Sequence, residues 1–206
     1  MIDNFLRPPG SRGQKTADAL RLLGVLSAVA ALALPGFTDA AIIAFCLPGL
    51  MLPRFLGMRP AADAWVTVVL LVAAWSNVLD LYRTVEWWDI PVHVVVAGTV
   101  AVLVYLLLAR TEIVPAPGTA RFTAVGALVL TTVLGLALGA VWEMVEWFGY
   151  AVITDDIHVT YQDTVGDMAA GGLGAVVGGW LLGRAPQLLI PTARPTSVSS
   201  PNTSSR

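Results

Sequence analysis

Of the chain's 206 residues, 56% are hydrophobic and only 13% are charged, about half the charged share of a globular protein. A net charge of −2 excludes a broad basic surface for nucleic acid, and a single cysteine, Cys46, excludes an internal disulfide framework or a CxxC metal site. A helix needs about 20 apolar residues to cross a bilayer, so the composition points to a membrane protein with little outside its spans.

Apolar stretches run over residues 19–34, 40–56, 61–81, 90–109, 122–141 and 164–183. Each is bounded by charge, Pro or Gly. The first follows Arg7, Arg12 and Lys15, as a secretory signal would, but Arg21 intrudes and no small-x-small cleavage site follows. It reads as an uncleaved helix. The second contains Pro48 and Gly49 and is followed by Pro53 and Arg54, so a re-entrant segment is the alternative to a span there. Cys46 reads as an inert thiol within a helix.

Six spans segregate the basic residues. Arg7, Arg12, Lys15, Arg21, Arg54, Arg59, Arg110, Arg121, Arg184, Arg194 and Arg206 fall on one side, leaving only Arg83 on the other. By the positive-inside bias this places both termini in the cytoplasm of a bacterial-type inner membrane. The fold expected is all-α, an integral membrane six-helix transmembrane bundle. Residues 1–17 form a short cytoplasmic arm, mobile at Arg7-Pro-Pro-Gly, 18–184 the six-span domain, and 185–206 a disordered cytoplasmic tail rich in Pro, Ser and Thr, too poor in apolar residues to pack.

Most acids fall on the other side, at helix ends or in loops. Asp89 and His93 are four apart, Glu143 and Glu146 three apart, and Asp163 and Asp167 four apart. Separations of three and four put side chains on one helix face. Three helices therefore each present a polar pair at one depth, and Asn77, Asp80, Arg83 and Glu86 lie nearby in sequence. Small residues continue these faces: Gly139, Gly135 and Thr131 behind Glu143; Gly171, Ala175, Gly179 and Gly183 beyond Asp167; Ala97 and Ala101 beyond His93. Such spacing marks close helix packing in membranes, so the pairs should face one another and not the lipid.

Carboxylates gathered in a poorly solvated place need a cation, a basic partner or protonation. Arg83 could pair with one of them. Oxygen-rich ligation with one histidine suits Mg²⁺, Mn²⁺ or Ca²⁺, which makes Asp89, His93, Glu143, Glu146, Asp163 and Asp167 candidate ligands and His93 and Glu143 candidate acid–base groups. The blander readings are an interhelical hydrogen bond for His93, an N-cap for Asp163 and a solvated loop for Asp155, Asp156 and His158. Trp75, Trp87, Trp88, Trp142 and Trp147 read as an aromatic belt at one boundary, Trp65 and Trp180 at the other.

Trp88-Asp89-x-x-x-His93 with Gly98, Trp142-Glu143-x-x-Glu146-Trp147, and Asp163-Thr164-x-x-Asp167-Met168 before a Gly-rich helix together resemble the YjdF-like bacterial inner-membrane proteins. They are more distantly similar to VanZ-like proteins, from which this chain departs by carrying Gly171 where that pattern has Asn. The first resemblance implies a membrane fold and no established activity. The second implies the cell envelope, through resistance to lipoglycopeptide antibiotics.

Three functions follow as alternatives. One is an enzyme or binding protein acting at the outer leaflet on an envelope or lipid-linked substrate. Another is a transporter of a small solute or cation, disfavoured because 94–109 and 122–141 hold no ionisable group but Tyr105. The third is a structural or regulatory membrane protein. No Gly-x-Ser-x-Gly, His-Glu-x-x-His or phosphate-loop motif is present.

Overall fold

The computed structural model describes residues 1–33, 37–154, 157, 159–184 and 188–189. Asp155, Asp156 and His158 lie outside the described residues, as does the tail apart from Leu188 and Leu189. Among the described residues eight helices follow one another: α1 (Ile2–Leu6), α2 (Arg12–Ala31), α3 (Phe37–Leu56), α4 (Pro60–Val78), α5 (Leu81–Thr84), α6 (Asp89–Arg110), α7 (Ala124–Val152) and α8 (Tyr161–Arg184). The only β pairing among the described residues is an isolated bridge between Met58 and Leu189.

Local chemistry sets the helix starts. Ser11 caps α2 in a reciprocal box with Gln14. Pro60 opens α4, where its missing N–H has no intrahelical role. The Thr123 hydroxyl accepts from the Gly126 N–H at the head of α7. The stretch with the re-entrant alternative is one continuous helix, α3, with Pro48 and Pro53 inside it. Membrane helices tolerate such prolines where neighbouring helices satisfy the freed groups.

Among the described residues five helices, α3, α4, α6, α7 and α8, are long and apolar enough to cross a membrane. The expected count of six fails on this measure at α2, whose Arg12, Lys15, Asp18 and Arg21 dilute its hydropathy. At 29 residues, α7 is longer than the apolar stretch read from sequence. It spans about 43 Å at 1.5 Å per residue, so Glu143 and Glu146 sit inside the helix and not at its tip.

α2, α3 and α4 pack on one another, as do α6, α7 and α8, and α6 joins the groups by touching α3 and α4. Large apolar side chains face outward: Leu22, Leu26 and Val29 on α2, Val125, Val129 and Val133 on α7, Leu173 and Val177 on α8. So much exposed apolar surface would be a liability in water and is ordinary in lipid. Of the tryptophans, Trp87, Trp147, Trp65 and Trp180 are exposed. Trp75 and Trp88 instead turn their N–H groups inward to Ser27 and Ser76.

The interior of the second group is built from small residues. A Cβ on Gly174 would strike the Val94 carbonyl oxygen, and one on Gly98 the Gly174 carbonyl oxygen. A Cβ on Gly178 would lie 2.7 Å from the Gly98 oxygen. α6 and α8 thus touch backbone to backbone. Their contacts rise together in number (Ala97 with Gly171, Val102 with Gly178), so the two helices run parallel, while α7 runs against both through Gly135 with Ala175 and Thr131 with Gly179. Gly139, expected in this seam, faces open space.

One ion-pair network has no counterpart in the sequence reading. Buried Arg21 donates Nε to the Leu50 carbonyl oxygen at 2.9 Å, Nη1 to Asp18 Oδ1 at 2.5 Å and Nη2 to Asp63 Oδ1 at 2.5 Å. It therefore ties α2 to both α3 and α4. The expected mobile arm is docked here too: Phe5 stacks on Phe55 with ring centroids 4.3 Å apart, and Asn4 Nδ2 donates to the Phe55 carbonyl oxygen.

The seam gives a direct test. Gly174→Ala drives a methyl into backbone and is expected to cost about 2 kcal/mol or more, seen as a lower Tm in detergent. Gly139→Ala, with nothing within 4 Å of its new Cβ, is expected to be neutral or to stabilise by up to about 1 kcal/mol through helix propensity. Equal Tm values for the two variants would contradict the packing described.

Candidate functional site

The starts of α6 and α8 and the last turns of α7 meet at one end of the bundle. From α6, Asp89 and His93 share a face one turn apart. From α8, Asp167 is brought against them by the glycine contacts two turns further on. His93 Nε2 lies 3.4 Å from Asp89 Oδ1 and 3.8 Å from Asp167 Oδ2. These exceed the usual N–H···O range, so the imidazole faces both carboxylates across short gaps. One ligand atom from each of Asp89, His93 and Asp167 lies within 4.8 Å of the other two.

α7 supplies the next layer. Glu143 is buried, at 7% exposure, and faces Thr164 of α8. Glu146, one turn on and half-buried, is within electrostatic reach of Glu143, His93, Asp167 and Asp89. Asp163 is half-buried and close enough to act electrostatically on Glu143 and Asp167. All six candidates therefore gather at one end, with Asp89, His93 and Asp167 at closest range and Glu143, Glu146 and Asp163 around them.

The expected neighbours turn elsewhere. Asn77 Nδ2 donates to Asp39 Oδ1 at 3.0 Å, linking α4 to α3. Arg83 pairs with Asp80 at 2.7 Å on an exposed turn and not with a cluster acid. Asp163 is not the N-cap of α8: its own N–H donates to the Thr160 hydroxyl at 3.2 Å, so Thr160 fills that role and Asp163 sits in the first turn. A carboxylate is favourable there beside the positive end of the helix dipole.

Tyr82 was missed in the sequence reading. Its hydroxyl donates to the Ala73 carbonyl oxygen at 3.1 Å, and the ring lies close enough to Asp89 and Glu146 to feel their charge. Burial, reinforced by those carboxylates, pushes the phenol well above its ordinary range, so it stays protonated. Thr164 was read only as part of a motif. No spacing signal could have found Tyr82, because α5 is a four-residue helix with no face of its own to read.

Three oxygen and nitrogen donors at this spacing match the size of a hard divalent cation. Ligands facing each other across Mg²⁺ lie about 4.2 Å apart and across Ca²⁺ about 4.8 Å, and the three atoms here fall within that span. Among the described residues no Lys or Arg stands against these acids, and His93 is the one basic side chain in contact with them.

The family model of a predicted membrane protein, DUF2238, matches residues 19–187, and the chain belongs to that family. No match was found among curated proteins or among solved structures.

The cap assignment is open to measurement. Thr160→Ala is expected to lower stability by about 1 kcal/mol, and Asp163→Ala by less, about 0.5 kcal/mol, from the lost dipole interaction. Thermal unfolding in detergent ranks the two, and a larger loss for Asp163→Ala would return the cap to Asp163.

Proposed function

We propose that the chain is a six-span bacterial inner-membrane protein with both termini in the cytoplasm, whose acidic end opens outward as a divalent-cation site acting on an envelope or lipid-linked substrate. The observation that carries this reading is the convergence of Asp89, His93 and Asp167 from two helices, ringed by Glu143, Glu146 and Asp163.

The sixth crossing is α2. Its Arg21 is consumed by Asp63, Asp18 and a carbonyl oxygen, and no charge follows in sequence until Asp39. Leu22, Leu23 and Leu26 face outward while Ala17, Gly24, Ser27 and Ala31 face the bundle. Charges paired inside a bundle are the form in which membranes accept them. Eleven of the twelve basic residues then fall on one side.

At the other end, Asp89, His93 and Asp167 would hold the cation, with Glu143 or Glu146 completing its shell. A bound divalent cation would polarise a phosphoryl or carbonyl oxygen, or lower the pKa of a bound water. Glu143, buried beside Thr164, is the residue best placed to take or give a proton. A second reading is favoured by the position of His93: as an imidazolium between Asp89 and Asp167 it would offset part of the cluster's charge without metal and fix the register of α6 against α8.

Two measurements test these readings. Purified protein is expected to bind Mn²⁺, followed by its paramagnetic resonance signal, and Asp89→Asn or Asp167→Asn is expected to weaken binding by at least about tenfold, the lower bound seen even for outer-shell partners of metal ligands. Unchanged Mn²⁺ binding in both variants, or none in the parent, would leave the imidazolium reading in place. For topology, Cys46 is replaced by Ser and single cysteines are placed at Thr154 or Ala116. An impermeant maleimide added to intact cells is expected to label the first and not the second, and the reverse result inverts the orientation.

A further inference from the structure

At the opposite end of the bundle a hollow of about 310 Å³ lies between α1, α2 and α3, at the lower end of small-ligand sites. Its polar wall is Asp18, Arg21 and Arg54, and its apolar wall includes Leu22, Val25 and Met51. The polar groups are unequally satisfied. Arg21 spends all three nitrogens on protein acceptors. Arg54 is nearly buried, at 11% side-chain exposure, and gives one hydrogen bond, to the Arg7 carbonyl oxygen. A guanidinium has five N–H donors. Asp18 gives Oδ1 to Arg21, while its Oδ2 stands 3.7 Å from Arg54, beyond hydrogen-bond range. A cation with donors to spare and a carboxylate oxygen with acceptor capacity to spare thus line one wall, side by side.

The apolar wall continues along the bundle. Leu22, Val25, Leu26 and Val29 form one stripe of α2 at spacings of three and four, and all but half-buried Val25 are exposed. α1 lies at the mouth, with Met1, Ile2 and Leu6 exposed, as suits a short helix at a membrane interface. The hollow therefore joins a polar pocket of both signs to an apolar track leading toward the bilayer interior.

We propose that this hollow holds the headgroup of one phospholipid from the adjacent leaflet, a lipid carrying both a phosphate and a primary ammonium. The phosphate takes the spare donors of Arg54, the ammonium donates to Asp18 Oδ2, and an acyl chain lies along Leu22, Val25 and Leu26. An anionic headgroup with no ammonium leaves Asp18 facing a phosphate, and a trimethylated ammonium has no N–H to give it. The charge balance of the wall is what selects the zwitterion with a free amine.

The test is native mass spectrometry of the full chain in detergent, titrated with phosphatidylethanolamine, phosphatidylglycerol or phosphatidylcholine of one acyl composition. One phosphatidylethanolamine is expected to be retained at about tenfold lower concentration than either other lipid, the equivalent of one charge-assisted hydrogen bond. Arg54→Gln should abolish that preference, as should Met51→Trp, which fills the hollow. Helical content by circular dichroism checks both folds. If Met51→Trp does not fold, Arg54→Gln alone decides. Equal retention of the three lipids, preferential retention of phosphatidylglycerol, or a preference untouched by Arg54→Gln would each overturn the proposal.

Discussion

The backbone contact between α6 and α8 governs the rest of the acidic end. Aspartate and histidine are short side chains, and from parallel helices held apart by Leu or Val they would not meet. Gly98, Gly174 and Gly178 bring no Cβ of their own to the line of closest approach, so the axes close to a distance that side chains normally forbid. Two turns from Gly174, Asp167 then lies within 3.8 Å of His93. In lipid there is no hydrophobic gain from bringing helices together, and close van der Waals packing of small residues is the substitute. The same feature that holds α8 in place therefore sets the geometry of the carboxylates at its head.

The two ends of the bundle treat charge in opposite ways. At the basic end, Arg21 meets two aspartates and a carbonyl oxygen, each at hydrogen-bond distance. Breaking such a pair on one side leaves an uncompensated buried charge, typically a loss of about 3–5 kcal/mol, roughly a fifth or more of a domain's stability. At the acidic end, five carboxylates gather around one imidazole. Like charges that approach in a poorly solvated place raise the energy of the ionised state until something neutralises them. Among the described side chains the acidic end therefore keeps a surplus of carboxylate, with a single imidazole set against it.

Much of this was legible before any coordinates. Spacings of three and four named the acids that meet, because the helix period is a property of the backbone and survives any tertiary context. The same counting mistook Gly139 for a contact and passed over Gly174 and Gly178. Counting from the acids assumes that the seam continues straight down each helix, whereas the closest approach is set by how the axes cross. Asp163 illustrates a second limit. A cap depends on where the first turn begins, and Thr160, three residues earlier, takes the role. Long-range pairing was the least legible of all. Arg21 and Asp63 are 42 residues apart, and nothing in their local sequence links them.

That pairing also explains why hydropathy sees five spans where the basic residues segregate best with six. An average over a window charges α2 for Arg21 and Asp18 as if each met lipid alone. In the bundle, Arg21 points inward to α4 and α3 while Leu22, Leu23 and Leu26 cover the outside. α2 thus turns leucines outward and keeps its arginine on two aspartates and a carbonyl oxygen. The cost of burying Arg21 is offset by partners that only the folded bundle supplies, so the low hydropathy of α2 marks a helix that depends on its packing against α3 and α4.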